Sequence, residues 1–342
     1  MARGYNSYRG RRSKGKMALA ALLILLILAA VVVILLQRHI IYDETGTPRM
    51  EMPWGKEEPE EASPEKELDL VIHAPAKTVA EICGFQLAAG PLTRERYETA
   101  MEAMNPAYNA VAVVLKDETG TVYFDTDAAV SGSGNVSEDT SAVLAALTGS
   151  GEFRTIACIS GFHDPKAANA DVEGMGLKNT GGYIFYDGNN SQWLDPAKPA
   201  ARAYLCQLAA DAAERGFQEI LLTGLSYPTE GKLDKIAYGE TERSENLKLF
   251  LKELRNALEP YGTVLTVQVS PETITTGEDA ASGQKLAEIA ALADRLCAPV
   301  TMEEAEALSE ALRTAGETVE FLPLIEEYHP AMPGNCLVVE EN

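Results

Sequence analysis

Residues 193–228 read WLDPAKPAARAYLCQLAADAAERGFQEILLTGLSYP, and this stretch decides the fold class of the chain. Its prolines suit the first turn of a helix. Apolar residues then recur at helical spacing until Gly216, a residue that commonly ends helices. The short apolar run 220–222 follows. We therefore predict a helix that leads into one buried strand, with a loop at the strand's C-terminal end. In α/β folds such loops carry the chemistry.

The same alternation of strand and helix patterns continues along the chain from about residue 79. The predicted strands are 79–85, 110–115, 155–159, 220–222, 263–269, 296–300, 319–325 and 336–339. The predicted helices outside the opening stretch are 93–104, 138–147, 244–258, 282–292 and 302–315. Such alternation over about 270 residues favours a parallel sheet closed into a single (β/α)8 TIM-type barrel. A doubly wound open sheet is the alternative, but no GxGxxG motif follows the first strand.

The N-terminus has the pattern of a membrane anchor. Residues 1–16 are basic and contain no acid, and residues 17–36 are uncharged and almost wholly apolar. Twenty helical residues span about 30 Å, the thickness of a bilayer core. Arg38 and His39 follow in place of a small-residue cleavage site, which favours an uncleaved anchor.

We accordingly predict four regions: a cytoplasmic tail at 1–16, a transmembrane segment at 17–37, an acidic, proline-rich stem at 38–67 and a folded domain at 68–342. The positive-inside rule places the tail in the cytoplasm. The chain is thus expected in the cell membrane as a single-pass protein with an extracellular C-terminal domain.

Charge and cysteine content limit the partners. The chain has 29 basic and 51 acidic residues; all 51 acids and 22 of the basic residues follow residue 42, which leaves that part near −29. Such a charge disfavours nucleic acid and anionic lipid. The five cysteines are odd in number, form no CxxC pair and mostly lie in apolar runs, which favours free buried thiols. No metal site and no cofactor are predicted.

Several motifs resemble the glycoside hydrolase family catalogued as DUF4015, a (β/α)8-barrel group related to the amylase-type hydrolases. The similar segments are WLDP at 193–196, GFQEI at 216–220 and PTEG at 228–231, together with 109–120 and FHDP at 162–165. The resemblance implies a barrel built to act on glycans.

The resemblance fails where the family places its chemistry. The family's strand-end Asp falls on Thr223, and its Arg falls on Ser226. Amylase-like barrels carry the nucleophile on strand four and the acid on strand five, where this chain offers Gln268. The resemblance therefore implies a barrel that has lost its standard acid pair.

Glycoside hydrolysis uses two carboxylates, so an active enzyme would need relocated acids. At strand-end loops the candidates are Asp117, Glu272 and Glu326. The candidate substrate-binding residues are Trp193, Tyr186, Tyr227, Lys116, His163 and Asp164. Each has a structural alternative: the aspartates as turn or N-cap residues, the aromatic residues as packing, and Glu326 as a solvated strand end.

Three functions stay open at this point. The favoured one is a catalytically degenerate barrel that binds a cell-envelope polysaccharide, such as peptidoglycan, or a protein partner. The second is an active glycosidase with relocated carboxylates. The third rests on the motif Asp125-Thr126-Asp127, since a DxD motif after a strand holds a divalent ion in some glycosyltransferases of similar layout.

Overall fold

The computed structural model describes residues 79–328 and 334–339, together with the backbone of two short strands, Ile40–Tyr42 and Pro48–Met50. These two strands pair with each other in antiparallel register. The predicted transmembrane segment at 17–37 lies outside the described residues, as do the predicted boundaries of the tail and the stem. No helix in the described ranges is long and apolar enough to cross a bilayer.

Eight parallel strands close into a barrel within the unit His73–Asn342. They are β1 Cys83–Leu87, β2 Ala110–Lys116, β3 Arg154–Ser160, β4 Glu219–Thr223, β5 Val264–Gln268, β6 Arg295–Pro299, β7 Glu320–Ile325 and β8 Cys336–Val339. Each strand pairs with the next along the chain, and β8 pairs with β1. The predicted α/β barrel is thereby confirmed, and every predicted strand has a counterpart.

Helices pack around this barrel. In the described part they are α1 Arg94–Ala103, α2 Thr140–Ser150, α3 Pro165–Ala170, α4 Pro199–Glu214, α5 Arg243–Leu258, α6 Pro271–Thr276, α7 Leu286–Ala290 and α8 Met302–Thr314. Helix α4 begins with a proline at its first turn and is followed by Gly216, whose φ is 93°. Thr301 and Glu304 form a reciprocal capping box at the start of α8.

The segment predicted as one helix at 282–292 differs from the prediction. A short hairpin, Glu278–Asp279 with Gln284–Lys285, precedes a helix of only five residues. The side chain of Asp279 accepts hydrogen bonds from the backbone of Ala281 and Ser282, and Gln284 donates to the Leu225 carbonyl. The local bonds to Asp279 compete with helical hydrogen bonding, and the bond from Gln284 to the distant Leu225 fixes the non-helical backbone.

The barrel interior is an apolar cluster that is separate from the larger core between the sheet and the helices. It contains Ile82, Ala110, Ala112, Ile156, Cys158, Leu221, Cys297, Leu322 and Leu337, all buried. Side chains that alternate along each strand therefore divide into inward and outward sets, as expected for a closed barrel.

A buried charge cluster occupies the N-terminal end of the barrel. Glu219 of β4 accepts from Arg295 of β6 and from Thr266 of β5 through one oxygen, at 2.7 and 2.5 Å. Its other oxygen accepts from Arg154 of β3 at 2.7 Å. Glu219 and Arg295 are both fully buried. One carboxylate thus connects four neighbouring strands.

We expect Glu219→Gln to lower the free energy of unfolding by about 3 to 5 kcal/mol, because the change removes the buried counter-charge of Arg295 and leaves only the more distant, partly exposed Glu320. Urea titration of the full chain, followed by circular dichroism, measures this loss. The double variant Glu219→Met with Arg295→Met should regain part of the loss, since apolar residues of similar volume often replace a buried pair well. Glu310→Ala, in the exposed pair with Arg313, is the matched control and should not change the midpoint. A loss below about 1 kcal/mol in Glu219→Gln would contradict the role of this cluster.

Candidate functional site

The mouth of the barrel, at the C-terminal ends of the strands, is where barrel enzymes carry their chemistry. We call the last inward-facing residue of each strand the mouth layer. It consists of Gln86, Val114, Ser160, Thr223, Gln268, Pro299, Leu324 and Val339. Their orientation follows from strand alternation, because residues two positions earlier, such as Cys158 and Leu221, lie in the interior cluster. None of these eight side chains is a carboxylate. Thr223 and Gln268 stand where the resemblance places the two acids.

Lys116 and Asp164 form a buried ion pair beside the mouth layer. The Lys116 Nζ atom lies 3.0 Å from Asp164 Oδ2, and neither side chain is exposed. Lys116 also donates to the Ser160 carbonyl at 2.9 Å. Burial lowers the pKa of Lys116, and the adjacent Asp164 opposes this effect. Both groups are therefore engaged with each other and with the end of β3.

Asp164 also has a local structural task. Its Oδ1 atom accepts from the backbone N–H of Ala167 at 2.8 Å, as the N-cap of α3. Its Oδ2 atom accepts from the hydroxyl of Tyr204 on α4 at 3.3 Å. The carboxylate thus joins β2, α3 and α4, and its hydrogen-bonding sites are filled by protein groups.

Asp117, the first residue after β2, is the centre of a turn. Its Oδ1 atom accepts from the backbone N–H groups of Thr119 and Thr121, both at 2.9 Å, and from the Thr119 hydroxyl at 2.7 Å. Its Oδ2 atom accepts from the Tyr123 hydroxyl at 2.7 Å. Burial alone would raise the pKa of Asp117, but these hydrogen bonds favour the charged form and lower it. Burial and the same contact raise the pKa of Tyr123 to about 12. A carboxyl group held ionised in this way is unsuited to donate a proton to a leaving group.

His163 and Trp193 form an aromatic platform on the loop after β3. Their rings stack with centroids 4.5 Å apart and an angle of 14° between planes. The Trp193 indole donates to Asp187 Oδ2 at 2.8 Å, and His163 Nε2 shares a hydrogen bond of 2.8 Å with the Ser191 hydroxyl. The Glu118 carboxylate, 77% exposed, lies 3.9 Å from His163 Nδ1. Both rings of the platform are partly exposed. The long loop returns to β3 because Leu194 N donates to the Phe162 carbonyl.

The remaining predicted site residues lie apart from the platform's contacts. Tyr186 is on the same loop and is 47% exposed. Tyr227 is fully buried and accepts from Asn246 through its hydroxyl, so it packs in the core. Glu272 is exposed in the first turn of α6, and Glu326 is exposed directly after β7. Together with Asp117, these carboxylates follow three strands that are not neighbours in the barrel.

The DxD motif lies against the helices that surround the barrel. The Asp125 carboxylate accepts from the Ser141 hydroxyl at the start of α2, and the Thr126 hydroxyl contacts Asp211 near the end of α4. Asp125 and Asp127 are exposed. Across the described ranges no group of three His, Cys, Asp or Glu side chains could hold a metal ion.

Sequence reasoning missed Asp187 and Ser191, which orient the two rings of the platform. Both belong to a turn, and the Asp187 side chain also accepts from the backbone of Asn189 and Ser191. Asn190 in this turn has a positive φ of 60°. The local signal was an Asp followed by Gly-Asn-Asn-Ser, which indicates a turn but not that its other oxygen reaches an indole.

Comparison with known proteins agrees with this architecture. A family model described as "Putative glycosyl hydrolase domain", DUF4015, matches residues 89–301, more than half of the chain. None of the curated proteins searched matches the sequence.

Among solved structures, the PgaB (BpsB) glycoside hydrolase domain from Bordetella bronchiseptica has a TM-score of 0.52 and 14% identity, over 72% of this chain and 83% of that one. A hypothetical protein from Ruminiclostridium thermocellum is 25% identical over 52% of this chain and 96% of its own, with a TM-score of 0.45. Ega3 from Aspergillus fumigatus, in complex with galactosamine, has 10% identity and a TM-score of 0.43, over 74% and 81% of the two chains. The similarity to the Bordetella domain shows a shared fold.

We expect Asp117→Asn to cost about 1 kcal/mol of unfolding free energy at pH 6 and less at pH 3, because hydrogen bonds to a charged group are stronger than those to a neutral one. The folded-state pKa of Asp117 is lowered, so its contribution is complete above the unfolded value of about 3.9 and disappears as pH falls through the folded value. Urea unfolding of both proteins at the two pH values measures the difference. A gap that widens on acidification would contradict this account of the turn.

Proposed function

Because this chain belongs to the DUF4015 family of glycosyl hydrolase domains, we propose that it is a catalytically degenerate member that binds a cell-envelope polysaccharide. The observation that carries this proposal is the composition of the mouth layer. Hydrolysis of a glycosidic bond normally requires two carboxylates facing each other across the substrate, about 5 to 10 Å apart. Thr223 and Gln268 have neither the charge nor the acidity for these roles.

The carboxylates near the mouth support the same proposal. Asp164 is neutralised by Lys116 and caps α3, and Asp117 is held in its turn by four hydrogen bonds. A general acid needs a raised pKa and a free proton, whereas the hydrogen bonds at Asp117 outweigh the effect of burial and lower its pKa. Glu272 and Glu326 are exposed to solvent, and they follow strands that are not neighbours in the barrel.

The platform of His163 and Trp193 is the feature best suited to a sugar. Aromatic faces pack against the apolar faces of pyranose rings, while polar groups at the rim bond the hydroxyls. Glu118 and Ser191 lie at this rim, and the Trp193 ring is fixed by Asp187. A ring held in place in advance loses little conformational freedom on binding.

The proposed location follows from the sequence. A basic tail at 1–16, the transmembrane segment predicted at 17–37 and an acidic stem at 38–67 support a barrel that lies outside the membrane and is anchored to it. The charge near −29 after residue 42 favours neutral or cationic glycans and disfavours nucleic acid. The polysaccharide is therefore expected in the cell envelope, with a protein partner as the alternative ligand.

The catalytic half of the proposal is tested by incubating the full-length protein with purified cell-wall glycans and measuring the release of reducing ends. We expect no release above background, and no change in Asp117→Asn, Glu272→Gln or Glu326→Gln. Release that one of these substitutions abolishes would establish an active glycosidase with relocated acids. Binding of a UDP-sugar with Mn²⁺, lost in Asp125→Ala, would instead indicate a glycosyltransferase.

The binding half is tested by co-sedimentation of the protein with insoluble cell-envelope polysaccharide. We expect Trp193→Ala to weaken binding about tenfold or more, since stacking of one aromatic ring contributes roughly 1 to 2 kcal/mol. Tyr261→Ala is the matched control, because this exposed aromatic residue precedes β5 and lies at the opposite end of the barrel. Equal losses in both variants, or no binding by the unmodified protein, would count against a glycan site on the platform.

A further inference from the structure

The barrel closes between β8 and β1, and β8 is the shortest of its eight strands. Strand β8 has only four residues and pairs with β7 through two register positions, Leu324↔Leu337 and Ile325↔Val338. Only the ten residues 326–335 connect β7 to β8. Strand β8 therefore depends mainly on its four-residue ladder with β1.

Two cysteines face each other in this ladder. Cys336 of β8 and Cys83 of β1 are direct register partners. Their Sγ atoms lie 3.0 Å apart. Neighbouring strands are about 4.8 Å apart, which lies within the range of Cα separations that disulfides span. Both side chains are on the outer face of the barrel, because the next residue of β8, Leu337, belongs to the interior cluster.

The other three cysteines have different surroundings. Cys158 and Cys297 lie inside the barrel, where burial raises both of their pKa values, that of Cys158 to about 12. Cys206 is half-buried on α4. The spacing of five cysteines in the sequence favours free thiols, and only the fold brings Cys83 and Cys336, 253 residues apart, into contact.

We propose that Cys83 and Cys336 form a disulfide bond that fastens the last strand of the barrel to the first. The oxidant is a disulfide, either the oxidised form of a dithiol or glutathione disulfide. The presence of the bond in the cell rests on the exported location proposed above. The Cys83 thiolate attacks one sulfur of the oxidant, so that a mixed disulfide forms and one thiol leaves. The Cys336 thiolate then attacks the Cys83 sulfur and releases the second thiol. The two cysteines lose two electrons and two protons, and the oxidant gains them.

The order of these steps follows from the surroundings of the two thiols. Cys83 is partly exposed, whereas Cys336 is buried. Burial, with the Cys83 thiol beside it, raises the pKa of Cys336 to about 12. Since the thiolate is the reactive form, Cys83 reacts with the oxidant first.

The first experiment treats the full-length protein with oxidised glutathione, blocks the remaining thiols by alkylation and digests with trypsin. Cleavage after Lys77, Arg94 and Arg313 leaves Cys83 and Cys336 on two peptides that contain no other cysteine. We expect one linked peptide that joins them and disappears on reduction. Complete alkylation of both cysteines, or their linkage to Cys206, would overturn the proposal.

The second experiment measures thermal unfolding with and without reductant. We expect reductant to lower the Tm of the oxidised protein by an amount on the order of 5 °C, because the bond closes a very long loop. Cys83→Ser and Cys336→Ser should show no such shift, while Cys206→Ser, which keeps the pair, should behave as the unmodified protein does. An equal response in Cys83→Ser would contradict the proposal.

The cellular state separates this proposal from the location on which it rests. Protein alkylated at once on cell lysis should already contain the linked peptide. If the peptide forms on oxidation in vitro but is absent from cells, the pairing of the two thiols is upheld and the exported location is contradicted.

Discussion

The hydrogen bonds of one buried carboxylate, Glu219, set the orientation of side chains through the barrel. This group accepts from Arg295, Arg154 and Thr266 and so joins β3, β4, β5 and β6 at their N-terminal ends. An ion of this kind is costly to bury without partners, which disfavours any register that turns it outward. Because side chains alternate along a strand, an inward Glu219 places Leu221 and Thr223 inward as well. The contacts that fix Glu219 at the N-terminal end of the barrel therefore also determine which side chains face its mouth at the C-terminal end.

At the mouth, that orientation presents a hydroxyl where the family resemblance places an acid. The nearest surviving acids serve the fold: Asp164 pairs with Lys116 and caps α3, and Asp117 closes its own turn. The hydrogen bonds at Asp117 lower its pKa, which suits a structural acceptor and opposes proton donation. A barrel can retain its architecture without its chemistry, since stability resides in the layers beneath the mouth while catalysis depends on a few loop residues. The partly exposed aromatic platform fits that division, because it requires shape and not acidity.

The barrel closes where its last strand pairs with its first, and this pairing differs from the other seven. Seven of its ladders come from strands close in sequence, but the eighth joins β8 to β1 across nearly the whole domain. A pairing this distant carries a large entropy cost before its hydrogen bonds form. Strand β8 is also short and has few contacts with β7. A covalent bond between Cys83 and Cys336 would reinforce the ladder on which β8 mainly depends.

The sequence by itself determined the order and type of the elements. Apolar runs, prolines and the Thr301–Glu304 capping box are local signals, and they predicted the eight strands and the barrel class. The turn around Asp117 and the N-cap at Asp164 were likewise among the local alternatives that the sequence offered. It failed at 282–292, because the bonds of Gln284 to Ser270 and Leu225 cross between distant segments. Only the tertiary structure decided that Trp193 stacks on His163, that Tyr227 is enclosed in the core and that Cys83 meets Cys336. These contacts join residues from different elements, so their geometry depends on how the barrel closes. The hydrophobic periodicity of the sequence therefore does not indicate them.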